Sequence, residues 1–190
     1  HLRELQRSIV ADFDAERFDD YVQFARIGSG SLGGKGRGLA FVQRLLSQEP
    51  FAVEGAPVTI PQTVVVATDV FEGFLEANHL RGIGARAPGL TDEAILDTFR
   101  EGRFDRPIRA QLAALLEVMR EPLAVRSSSL LEDSPYQPFA GVYATLMLPN
   151  HHPSLDVRLA QLLEAIKVVY ASTYMEAARS YLETTPHRIE

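Results

Sequence analysis

Eleven residues, Gly28 to Gly38 (GSGSLGGKGRG), hold six glycines, one lysine and one arginine. Gly28, Gly30 and Gly33 match G-x-G-x-x-G, and Gly34, Lys35 and Gly36 follow at once. A dinucleotide loop of this pattern needs a strand directly before the glycines, and Asp19 to Arg26 reads as too polar to supply one. A Walker A loop needs a glycine ahead of the four-residue spacer and a Ser or Thr after the lysine, where this chain has Ser29 and Gly36. The surviving signal is electrostatic. Lys35 and Arg37 fall in the first turn of a predicted helix, where the macrodipole is already positive and acidic side chains are favoured. An anion held by the loop N–H groups and that helix end would remove the conflict. The competing reading is a solvated loop with two exposed cations.

A second group is Leu123-Ala124-Val125-Arg126 followed by Ser127, Ser128 and Ser129, then Glu132 and Asp133. An apolar strand that ends in an arginine and three hydroxyls suits the edge of an α/β sheet, where ligand crevices lie. The arginine fork matches phosphate oxygens. Equally open is an ion pair of Arg126 with Asp133 or Glu132, the serines capping a turn. A third group, Phe139-Ala140-Gly141-Val142-Tyr143-Ala144-Thr145, sets a glycine between apolar residues and a hydroxyl four positions on. Gly141 permits close backbone approach, though a plain turn into a strand explains it too. His151 and His152 beside Pro153 fit a surface turn better than a metal site. No G-x-S-x-G nucleophile elbow is present.

The elements that must position these groups are read from periodicity. Leu2 to Phe24 has interrupted helical spacing and predicts two short helices. From Lys35 a helix runs through Leu39, Val42, Leu45 and Leu46, with its apolar stripe assigned to the core. Thr63 to Thr68 (TVVVAT) predicts a buried strand feeding a helix at Val70 to Leu75. Arg81 to Gly89 reads as a loop, and Thr91 with Asp92 and Glu93 as a helix start. A helix over 108–119, strands over 122–125 and 142–148, and a long helix from Ser154 to Leu182 with a break near Ala171 complete the pattern. The fold class is α/β (α+β), helix-rich with a small sheet.

The 190 residues are 46% hydrophobic and 23% charged, enough for one sizeable core, and carry a formal net charge of −6. That balance argues against general nucleic-acid affinity. Cysteine is absent, which excludes disulfides and thiolate metal sites. No apolar run approaches the roughly 18 residues of a membrane span, and no export signal is seen, so no membrane partner and a cytoplasmic location are expected. The chain opens on His1 and stops after Thr184 to Glu190 without a cap, as an excised piece of a longer protein would.

Taken in order, Gly33-Gly34-Lys35-Gly36-Arg37-Gly38-Leu39, Ile60-Pro61 with Val64 to Thr68, Val125-Arg126-Ser127-Ser128 with Glu132-Asp133, and Phe139-Ala140-Gly141 with Thr145 closely resemble the N-terminal nucleotide-binding domain of phosphoenolpyruvate synthases, pyruvate phosphate dikinases and rifampin phosphotransferases. Ala171-Ser172 with Tyr174 and Tyr181 is similar to the end of that family's first lobe. The resemblance covers roughly 27–181. It implies the first lobe of an ATP-grasp-like fold over 27–190, the second lobe being absent, with 1–26 a helical extension. It further implies a phosphotransferase that passes a phosphoryl group from ATP to a histidine on a separate domain, then to pyruvate or a similar acceptor. By motif, Lys35 with Gly33 and Gly34 would hold ATP phosphates, Arg126 would bind and act on the transferred phosphoryl, and the segment with Gly141 and Thr145 would cover the phosphates. The family's Mg²⁺ ligands belong to the second lobe and its phosphohistidine segment lies further on, so both are expected outside this chain, which alone would be inactive. Gly38 stands where the family usually has Asn or Ser. The alternative is a noncatalytic nucleotide-sensing or interaction module that keeps the fold.

Overall fold

The computed structural model describes residues 10–16, 18, 24–129 and 141–184. Three short strands form a parallel sheet in the order β1 (Ala11–Asp12), β2 (Phe24–Ile27) and β5 (Thr63–Val66). Phe24 is in register with Thr63 and Ile27 with Val66, while Asp12 lies opposite Arg26. A strand therefore does precede the glycines, and Ala11, Asp12 and Phe24 are strand where helix is expected. Arg26 hides β2 from a sequence reading. Phe24, Ala25 and Ile27 are buried, and the one polar residue of the strand is met by Asp12 Oδ1 at 2.7 Å from Arg26 Nε. Residues 11–13 and 18 thus belong to the body: Phe18 packs with Ala25, Leu115 and Met119, and Phe13 lies against them. Residues 1–9, 17 and 19–23, over which much of the two expected helices falls, lie outside the described chain.

Between β2 and β5 run α1 (Gly33–Gln48) and a hairpin of β3 (Ala52–Val53) and β4 (Ala56–Pro57). Glu54 and Gly55 at its tip both have positive φ, 52° and 84°, as a tight primed turn requires. The period of α1 is helical as expected, but the placing of its stripe in the core is corrected. Phe41, Val42 and Leu45 are exposed, with Phe51 and Val53 of the hairpin, and α1 buries Gly33, Gly36 and Gln43 instead.

β5 feeds α2 (Thr68–Ala77) as its β-branched run predicts. The stretch 81–89 is not a plain loop. It holds α3 (Ile83–Arg86) and a 3₁₀ turn (Ala87–Gly89), because burying Ile83 and Ala87 in the core overrides its Gly and Arg content. α4 (Asp92–Glu101) starts where Thr91 Oγ1 accepts from Ala94 N, and α5 (Arg106–Val118) where Asp105 Oδ1 accepts from Ile108 N. Each cap contributes about 1 kcal/mol. β6 (Leu123–Arg126) and β7 (Thr145–Leu148) pair antiparallel.

α6 (Leu155–Ser172) is the central pillar. Its apolar residues run nearly all round, which is the mark of a helix covered on several sides, and it packs on α4, α5, β6 and β7. Leu159, Leu162, Leu163 and Ile166 meet Ile95, Phe99, Leu112 and Leu116 there. The predicted break falls at 173–175, after which α7 (Glu176–Thr184) begins. Among the described residues no helix is long and apolar enough to cross a membrane.

Candidate nucleotide site

Strand β2 delivers the chain into the glycine segment, and the amides of that segment meet acceptors of the protein itself. Asp69, at the start of α2, accepts from Ser29 N at 2.9 Å, Gly30 N at 2.9 Å and Ser29 Oγ at 3.1 Å. Thr68 Oγ1 accepts from Ser31 N, and Ser31 Oγ from Gly33 N. Burial pushes the Asp69 carboxyl pKa up, but the bonds from the Ser29 and Gly30 N–H groups, the Ser29 hydroxyl and the Val70 N–H outweigh it and hold it below the usual value. Glycine is required at Gly30, where a Cβ would stand 2.6 Å from Asp69 N and from Thr68 Oγ1.

Past the loop, α1 begins against a segment nearly a hundred residues away. Gly34 N donates to Ser128 O at 3.2 Å, Gly36 N to Ser128 Oγ at 2.7 Å, and Ser128 Oγ donates to Leu32 O at 2.6 Å. Gly33 has φ +73°, and a Cβ there would lie 1.4 Å from Ser128 O. Gly30 and Gly33 therefore serve first to let three backbone segments meet, and the amides of Gly33 and Gly34 go to Ser31 and Ser128. The expectation that loop N–H groups cradle an anion is corrected at Ser29, Gly30, Ser31, Gly33, Gly34 and Gly36, whose amides bond within the protein.

The side chains remain. Lys35 stands in the first turn of α1, which has no acidic residue, and Arg37 opens the second turn. Arg37 Nε bonds Gly33 O at 3.2 Å. Arg126 ends β6 two residues before Ser128, so the Ser128 lock brings the segments that bear Lys35 and Arg126 together. The register of β6 and β7 sets Arg126 directly opposite Thr145, both exposed. Among the described residues no carboxylate pairs with Arg126. Glu132, Asp133, Phe139 and Ala140 lie outside the described residues. Gly141 has φ +82° with open space around it. Beyond it Tyr143 is buried beside Ala178, and Ala144 N donates to Ser172 Oγ at 3.0 Å, which ties the approach to β7 onto α6.

The cations match a polyphosphate in charge and donor chemistry: a lysine point charge, an arginine fork and a threonine hydroxyl. Nothing in the sequence marks Asp69, and Thr68 and Ser172 stand there only within the strand pattern and the resemblance, with no site role for either. Their signal was faint, since each is a single polar residue at a helix start or end whose partner lies tens of residues away. A separate shallow cavity of about 320 Å³ opens where β1 and β2 end, lined among others by Asp12, Arg26, Ser29, Asp69 and Gln111. Neither Lys35 nor Arg126 lines it. Among the described residues no group of three or more His, Asp or Glu side chains is placed to hold a metal ion.

Comparison with curated proteins yields no match, and comparison with solved structures yields none either. The family model described as pyruvate phosphate dikinase, AMP/ATP-binding domain, matches residues 29–188, a span that takes in Ser29 to Gly38, Arg126 and Thr145. The chain belongs to this family, as an ATP-binding N-terminal domain of the pyruvate phosphate dikinase and phosphoenolpyruvate synthase type.

Proposed function

We propose that this domain is the first lobe of an ATP-grasp-like unit that holds ATP phosphates between Lys35 and Arg126. The parent protein then passes a phosphoryl group to a histidine on another domain, and from there to pyruvate or a similar acceptor. The observation that supports this most is the Ser128 lock, because it joins two cation-bearing segments that have no other evident reason to meet. Lys35 would neutralise phosphate charge as a point cation, and the Arg126 fork would grip two oxygens of the transferred phosphoryl. Thr145, across the ladder, would donate its hydroxyl to a further oxygen. Gly33 and Gly34 would hold the Lys35 turn against β6, and the Gly141 turn would cover the phosphates. Mg²⁺, whose ligands are expected outside this chain, would neutralise charge on the bound phosphates.

The test is Arg126→Lys in the full-length parent, since it keeps the charge and removes the bidentate geometry. The ATP-dependent half-reaction should fall on the order of a hundredfold, the scale for losing a preorganised donor, while the unfolding midpoint holds. A variant that melts several degrees lower with an unchanged rate per folded molecule would make Arg126 a structural partner of Glu132 or Asp133 and sink the reading. Nucleotide binding without any phosphorylation of the wild-type parent would identify a sensing module instead.

A further inference from the structure

Six of the nine large apolar residues that stand exposed in the described chain lie between Phe41 and Val58. Phe41, Val42 and Leu45 share one face of α1 by their spacing, and they are 62%, 41% and 48% exposed. The hairpin follows at once: Glu49 N donates to Leu45 O at the helix end, and Val58 N donates to Phe51 O. Side chains alternate along a strand, and the register sets Val53 opposite Ala56, so Phe51, Val53, Ala56 and Val58 share one side of the hairpin. Residues 51–59 are exposed throughout. A two-stranded hairpin with neither side covered is marginal in water, and a solvated helix face is expected to be polar.

We infer that this face pairs with the same face of a second copy of the chain. By their exposed fractions the six side chains offer on the order of 500 Å², toward the upper end of the about 300–600 Å² of a typical monomer's largest apolar patch. Two such faces bring together about 1,000 Å² of apolar surface, which reaches the size of a specific interface before its polar rim is added. A two-fold contact sets the same patch on both sides, so a self-complementary rim needs both signs of charge. Arg44, Glu49 and Glu54 are exposed there, and among the described residues none of them has an ion-pair partner. Arg44 of one copy is thus available to the acids of the other. The end of α1 that bears the patch also lies away from Lys35. Gln48 is about 20 Å along the helix from Lys35 at the usual rise per residue, so a lobe that closed over phosphates at Lys35 would leave this end open. Pairing here needs nothing from the phosphate site.

Sedimentation equilibrium of the chain over about 1–200 µM is the test, with Phe41→Ser, Phe51→Ser and, as a control on an exposed apolar residue elsewhere, Met147→Ser. The wild type should form a dimer with a Kd of about 10 µM, in the weak range proper to an interface of this size. Phe41→Ser and Phe51→Ser should each weaken it about tenfold or more, the effect of removing an aromatic anchor, and Met147→Ser should leave it within about twofold. Because Phe41 and Phe51 are exposed in the single chain, its melting midpoint at about 1 µM should hold in both variants, which separates lost pairing from lost folding. A wild type that stays monomeric at the highest concentration leaves the face to another domain of the parent and overturns the pairing. A dimer that survives both serine variants overturns it as well, since it must join through another face.

Discussion

Gly33→Ala tests the lock between the glycine segment and β6. The new Cβ would sit 1.4 Å from Ser128 O, so the carbonyl must retreat by about 2 Å to reach an ordinary contact distance. That retreat breaks the Gly34 N bond to Ser128 O and strains the two bonds of the Ser128 hydroxyl, to Gly36 N and Leu32 O. Each is worth about 1 kcal/mol net, and the positive φ adds about 1–2 kcal/mol for any L side chain. The expected loss is about 3–5 kcal/mol, a large share of an ordinary domain's stability. Urea unfolding followed by circular dichroism measures it, and ATP titration of the folded fraction should show weakened binding as the Lys35 turn moves from Arg126. Ser128→Ala is the gentler companion. It keeps the backbone contact, removes the two hydroxyl bonds and should cost about 1–2 kcal/mol. Gly38→Ala is the control on the same helix, with nothing within 4 Å of the new methyl, and should stabilise by about 0.5–1 kcal/mol. A Gly33→Ala protein as stable as the wild type, with unchanged ATP affinity, would refute the lock.

Because Asp69 has a depressed pKa in the folded chain, its contribution is complete above the unfolded value near 3.9 and is lost as pH falls through the lower folded value. Asp69→Asn should flatten that acid limb of the urea midpoint and speed hydrogen exchange at the Ser29 and Gly30 amides; an unchanged limb would contradict the assignment. Asn150→Ala should cost about 2–4 kcal/mol in urea unfolding, since Asn150 Nδ2 bonds Met119 O and Glu121 O, its Oδ1 accepts from the buried Arg158, and its φ is +54°. Ser172→Ala removes the acceptor of the Ala144 N–H and should lower stability by about 1–2 kcal/mol in urea unfolding; an unchanged unfolding midpoint would contradict the role given to that bond.

The parts of this fold that were legible are those in which local pattern and tertiary environment agree. TVVVAT reads as a buried strand because all its neighbours want it apolar, and Thr91 predicts the start of α4 because its cap is made three residues away. The illegible parts are those settled by a distant partner. Phe24–Ile27 looks too polar until Asp12 on the next strand takes up Arg26, and 81–89 looks like a loop until the core takes Ile83 and Ala87. The same division runs through the site. Glycine density and two cations near a helix start are visible in the sequence and together suggest one anion cradle. In the fold they separate. Six amides of the glycine segment bond to Asp69, Thr68, Ser31 and Ser128 and fix the shape, so on the proposed reading recognition would fall to side chains that the shape brings into reach. On the proposed reading the site would depend on Gly33 more sharply than on any single cation: losing Lys35 or Arg126 would remove one contact, whereas a methyl at Gly33, 1.4 Å from Ser128 O, would move the segments that carry both.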